Sequence, residues 1–104
     1  MSLDIWLKQK ITSEVYSGNI THNLIPMWKL AGIYRSLYES NGKKAKDIIK
    51  NLERGYSEMT KYPEKFKKLN PTNNWGNYDT AKRWLGELIE NCKKYPNSKI
   101  GIWA

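Results

Sequence analysis

The 104-residue sequence holds one cysteine, Cys92, and one histidine, His22. A single cysteine excludes an intramolecular disulfide and any cysteine metal cluster, and it points to a cytoplasmic setting. A single histidine excludes paired-histidine metal sites, so no metal is expected. No run of 18 apolar residues occurs, so no membrane-spanning helix is expected. The opening Met1-Ser2-Leu3-Asp4 lacks the basic and long apolar segments of a secretory signal. No glycine-rich loop matches a phosphate-binding or dinucleotide fingerprint, and no other motif calls for a cofactor. Acidic residues are also scarce, ten against eighteen Lys and Arg. They are scattered, and no pair stands out in an apolar setting. Cys92 and His22 would form a nucleophile–base pair only by folding together, and Cys92 reads as a buried, inert thiol. So thin a catalytic inventory points to a binding protein, with no catalytic residues assigned.

What the chain does have is Trp and Tyr. Five Trp and seven Tyr stand against one Phe, Phe66. Both side chains join an apolar body to a polar handle, which suits binding surfaces as well as cores. The formal net charge of +8 favours an anionic partner. Because 15 of the 18 basic residues are Lys, a solvated lysine coat explains the charge equally well.

Periodicity gives the coarse fold. Leu3, Ile5 and Leu7 alternate with Asp4, Trp6 and Lys8, a strand with one buried face. Residues 11–16 read as a second short strand, broken at Ser17-Gly18-Asn19. A first helix is expected from Asn23 or Leu24 to Ile33, with Pro26 in its first turn, either breaking at Gly32 or running on to Tyr38. Asn41-Gly42 is a stop. Lys43 to Lys61 carries the clearest helical stripe, with Ala45, Ile48, Ile49, Leu52, Tyr56 and Met59. A short turn from Pro63 to Leu69 follows, then an Asn-rich loop, then a helix over 78–94 capped by Asn77 or Asp79. Ile100 and Ile102 alternate with Gly101 and Trp103 in a last strand. The expected architecture is one α+β domain spanning 1–104, a small sheet of N- and C-terminal strands with three to four helices on one face.

Four groups of residues are candidates for binding. Asn19, Thr21, His22 and Asn23 precede a helix start, where free N–H groups suit a phosphate; ordinary helix capping explains them as well. Asn70, Asn74, Trp75 and Tyr78 form a second polar-aromatic loop, whose flat rings suit base stacking. Trp75 alone would equally plug the core. Lys46, Lys50 and Arg54, four apart on one helix, make a basic ridge or simply a solvated face. Trp6 and Trp103 fall opposite Ile5 and Ile102. They mark a partner surface, a homo-oligomer interface or a stacking platform if the helices cover the Ile face.

The opening Met-Ser-Leu-Asp, Asn19-Ile20-Thr21-His22-Asn23-Leu24, Ala31-Gly32-Ile33-Tyr34, Pro63-Glu64-Lys65-Phe66 to Leu69-Asn70-Pro71 and Trp75-Gly76-Asn77-Tyr78 resemble a group of small proteins encoded by bacteriophages and some bacteria. The resemblance covers nearly the whole chain. Where those proteins read Asn-Gly-Trp-Gly, this one has Asn73-Asn74-Trp75-Gly76, and Asn tolerates the same positive φ. The resemblance implies a setting and no chemistry. By analogy, small phage proteins without catalytic motifs often act against host defences. The leading expectation is a protein that sequesters an anionic small ligand, a nucleotide or cyclic-nucleotide immune signal, between the two Asn-rich loops. The alternatives are a protein–protein inhibitor or scaffold acting on a host defence protein through Trp6 and Trp103, and a DNA- or RNA-binding protein using the basic ridge.

Overall fold

A computed structural model describes residues 1–10, 13–73 and 75–104. Three strands form one antiparallel sheet in the order β2-β1-β3: β1 (Ser2–Lys10), β2 (Ser13–Thr21) and β3 (Lys99–Trp103). Among the described residues five α-helices connect β2 to β3: α1 (Ile25–Leu30), α2 (Tyr34–Tyr38), α3 (Ile49–Lys61), α4 (Pro63–Lys67) and α5 (Tyr78–Lys94). Short 3-10 turns, His22–Leu24 and Ala45–Asp47, precede α1 and α3. The fold is α+β, with its sheet made of terminal strands as the periodicity predicts.

Period two in β1 decides which way the sheet faces. Leu3, Ile5 and Leu7 are fully buried, and Ile20 of β2 and Ile100 of β3 are buried with them. Residues directly paired across strands share a face. The register pairs Leu3 with Ile20, Ile5 with Ile102 and Leu7 with Ile100, so these residues build one apolar layer. Helices bury that layer with Trp28, Leu52, Met59, Phe66, Leu85 and Leu88. The molecule is 19 Å in its shortest dimension, the depth of one sheet and one helical layer. The opposite sheet face, with Asp4, Trp6, Lys8, Ser17, Asn19, Lys99, Gly101 and Trp103, carries no helix among the described residues.

The structure departs from the expected elements at two places and decides between two expectations at a third. Strand β2 does not break at Ser17-Gly18-Asn19; it runs through to Thr21. Gly18 is there for close packing, since a Cβ would stand 2.5 Å from the Tyr16 hydroxyl and 3.2 Å from Trp84 Nε1. The first helix does break at Gly32, whose φ of 75° is left-handed, giving α1 and α2 in place of one long helix. The helix expected from Lys43 begins only at Ile49. Its first turn is spent on the sheet instead: Ile100 N donates to Lys43 O, Ala45 N to Ser98 O and Lys46 N to Pro96 O. Ile11, assigned from sequence to the second strand, lies outside the described residues, as does Asn74.

Candidate binding surfaces

The two Asn-rich segments meet. The Asn23 side-chain amide donates to Asn73 Oδ1 at 3.4 Å, and Trp75 N donates to the same oxygen at 3.1 Å. Thr21 ends β2 and its hydroxyl accepts from Asn23 N, which starts the 3-10 turn and turns the chain toward the loop. Gly76, with φ of 88°, lets the loop close onto this corner; a Cβ there would stand 2.8 Å from Thr21 Cγ2. Thr21, His22, Asn23, Asn73 and Trp75 line a shallow recess of about 390 Å³ with Met1. Trp75 is 70% exposed, so it does not plug the core. His22 packs edge-on against Tyr38, with ring centroids 5.6 Å apart.

Three of the eight residues proposed for this site do other work. Asn19 lies on the bare sheet face, where its amide donates to Ser2 Oγ and Asp4 Oδ1. Asn70 Oδ1 accepts from Tyr78 N at 2.8 Å and so fixes the entry to α5. Tyr78 is buried, and its hydroxyl donates to Met59 O, so its ring is not open to a base. Asn77, not Asp79, caps α5 by accepting from Thr80 N. Asn74 lies outside the described residues. No Lys or Arg lines the recess. Among the described residues its side chains offer amide, hydroxyl, imidazole, indole and thioether groups.

The bare sheet face is larger and carries charge. Trp6 and Trp103 both lie on it, as strand alternation predicts. The Trp6 indole lies across Gly101, its cross-strand partner, where any Cβ would collide with the ring. The ring is therefore held against the Gly101 backbone, and Trp6 is partly exposed. Trp103, diagonal to Trp6, is 72% exposed.

Beside Trp6 the strands bring lysines together. Lys8 pairs directly with Lys99, and Lys44 bridges to Lys99 from the other side. Neighbouring strands lie about 4.8 Å apart, so these three form a row across the sheet. Like charges set directly opposite one another destabilise a sheet. None of the three joins an ion pair among the described residues. The nearby Asp47 carboxylate accepts the backbone N–H of Lys44. Trp6, Lys8, Gln9, Asn41 and Lys99 line a recess of about 600 Å³ that contains no carboxylate. Asn41 Oδ1 accepts from Ile102 N, which leaves its amide hydrogens to donate. On the other side of Trp6 a second recess, of about 730 Å³, has mixed charge from Asp4, Lys8 and Glu14 and reaches Trp103.

The proposed basic ridge is only partly a ridge. Lys50 and Arg54 lie one turn apart on α3 and are exposed, but Lys46 sits in the preceding 3-10 turn and does not extend their row. Glu53 lies between Lys50 and Arg54 in sequence and pairs across to Lys93 of α5 at 2.6 Å. Cys92 is fully buried, and burial pushes its thiol up to about 12. Among the described residues no three His, Cys, Asp or Glu side chains gather as metal ligands, and no helix is long and apolar enough to cross a membrane.

Sequence reasoning missed Gln9, Asn41, Lys44 and the pairing of Lys8 with Lys99. The parity that put Trp6 on the outer face also put Lys8 there, so that signal was present. The pairing depends on register, and Asn41 and Lys44 arrive through a loop that folds back beside β3. No protein-family model matches the chain, and neither a curated protein nor a solved structure is similar to it.

Proposed function

We propose that this protein works by binding a nucleotide or a short single-stranded nucleic acid on its bare sheet face. The observation that carries the reading is the row Lys8–Lys99–Lys44, which joins no ion pair among the described residues, beside partly exposed Trp6. Two of these cations, Lys8 and Lys99, line a recess without carboxylates, with Lys44 next in the row, and an anion there relieves their repulsion. The exposed part of the Trp6 indole offers a base about 1–3 kcal/mol of stacking. Gln9 and Asn41 add polar groups at the rim for base edges, and the recess has the size of an ordinary small-ligand pocket. Holding a ligand in this way needs no chemistry from the protein. If the phage resemblance reflects descent, the ligand is a nucleotide signal of bacterial immunity and the protein acts by sequestering it.

Quenching of Trp fluorescence, titrated with mono-, di- and cyclic nucleotides and with short oligonucleotides, tests the reading. Binding that weakens with salt at a log–log slope near −2 is expected if three lysines meet phosphates of a single strand. Absence of binding across the panel at micromolar protein refutes it. The second reading, a docking site for a host protein, is favoured by the mixed charge around exposed Trp103. It predicts a stoichiometric protein partner lost on Trp103→Ala and kept on Lys99→Ala.

A further inference from the structure

The two edges of the sheet are treated differently. Beyond β3 the chain folds back and occupies the edge: Gly42 N donates to Ile100 O, Ile100 N to Lys43 O and Ile102 N to Asn41 Oδ1. Beyond β2 no such cover exists among the described residues. The backbone groups that face outward on β2 can be worked out from these bonds. Both Ile100 N and Ile100 O point away from β1, so Lys99, Gly101 and Trp103 are the β3 residues that bond to β1. Their partners Lys8, Trp6 and Asp4 thus face β3, and Leu3, Ile5 and Leu7 face β2. The bond from His22 N to Met1 O fits the same alternation. On β2 it follows that Ile20, Gly18 and Tyr16 bond inward, while Ser17 and Asn19 present their N–H and C=O groups outward.

This stretch carries none of the usual edge protection. It has no proline and no charge; Glu14, the one charged residue of β2, lies beyond the bulge near Val15. The Asn19 side chain is turned in over the sheet toward Ser2 and Asp4, so it does not block the edge. The edge is also self-complementary. A two-fold axis at Gly18 sets Ser17 of one copy opposite Asn19 of the other, so that four outward N–H groups meet four outward carbonyls. The same register sets Tyr16 opposite the partner's Ile20 on the apolar side, an aromatic with a β-branched residue. Across the axis Gly18 faces the partner's Gly18, with no side chain to hold the strands apart. We infer that the protein forms a symmetric dimer by antiparallel pairing of β2 edges, joining two sheets into one of six strands. The lysine rows then lie at the two far ends of a continuous face. The pairing does not depend on what that face binds.

Sedimentation equilibrium from micromolar to millimolar protein, without any added ligand, is the test. The expected result is a concentration-dependent doubling of the chain mass. Amide exchange at Ser17 and Asn19 is expected to slow by about tenfold or more with concentration. Ser17→Lys/Asn19→Lys and Ser17→Glu/Asn19→Glu variants, checked for folding by circular dichroism, should each stay monomeric and recover a dimer when mixed. A monomer throughout with fast Ser17 and Asn19 exchange overturns the inference, and so does a dimer that both variants leave intact. Should a variant fail to fold, the wild-type mass and exchange decide by themselves.

Discussion

Gly101→Ala gives the sharpest test of the Trp6 platform. A methyl group at position 101 occupies space now held by the Trp6 ring, and the ring is the part that can swing away. An indole side chain presents about 250 Å², and Trp6 is mostly covered, so complete release of about 160–200 Å² would cost about 4–5 kcal/mol at about 25 cal/mol/Å². Restricting the unfolded chain returns about 0.4–1 kcal/mol at a strand position that alanine can adopt. A net loss of about 3–4 kcal/mol is expected for full release of the ring, measured by urea denaturation followed by circular dichroism. Binding should suffer more visibly. Loss of about 1–3 kcal/mol of stacking weakens nucleotide affinity by about 5- to 150-fold, with the salt slope unchanged because the lysines stay. The decisive control is a double-mutant cycle. In a Trp6→Ala background the methyl meets no ring, so Gly101→Ala should then cost nothing, a coupling of at least about 1 kcal/mol. Equal costs in both backgrounds refute the ring-over-glycine packing. Unchanged affinity in Gly101→Ala refutes the stacking role.

Tyr78→Phe removes the hydroxyl that donates to Met59 O and leaves a buried carbonyl short of a partner; a loss of about 1–2 kcal/mol in thermal or urea unfolding is expected, with no change in ligand affinity. Gly76→Ala forces alanine into a φ of 88° and against Thr21, so it should destabilise by about 1–3 kcal/mol and shift the amide resonances of both Thr21 and Trp75. Cys92 should resist alkylation at pH 8 except at the rate of unfolding, because burial holds its thiol protonated. Alkaline stability follows from the same group and two tyrosines. Cys92 is raised from 9.0 to about 12, and burial raises Tyr16 and Tyr38 from 10.0 to about 12. The unfolded chain therefore loses these protons first, and unfolding midpoints should stay level below pH 9 and fall from there toward pH 12.

The sequence by itself determined which side of each strand is which. Alternation is a property of consecutive residues, so Leu3, Ile5 and Leu7 could be set inward and Trp6 outward without any partner strand. The long amphipathic stripe of α5 and its Asn cap were legible for the same reason, as was the α+β class. Local rules also misled where tertiary contacts overrode them. Ser17-Gly18-Asn19 has turn composition, yet it stays in β2 because β1 pairs along its whole length and Trp84 packs at Gly18. Lys43 to Ile48 has helical periodicity, yet the Lys43 carbonyl and the Ala45 and Lys46 N–H groups bond to the end of the chain, leaving only a 3-10 turn at Ala45–Asp47.

The candidate sites divide along the same line. That the two Asn-rich loops meet at Asn23 and Asn73 is a contact across 50 positions, which no local pattern encodes. That Tyr78 points inward while Trp75 points out depends on a carbonyl of α3 reaching the Tyr78 hydroxyl. The lysine row is the strongest case. Lys8, Lys44 and Lys99 share no spacing, and they become neighbours only because β3 pairs with β1 in one register and the 41–44 segment folds back along β3. Sequence determined the charge and the aromatic face. Strand register and chain return, set by packing over the whole domain, decided where the two meet.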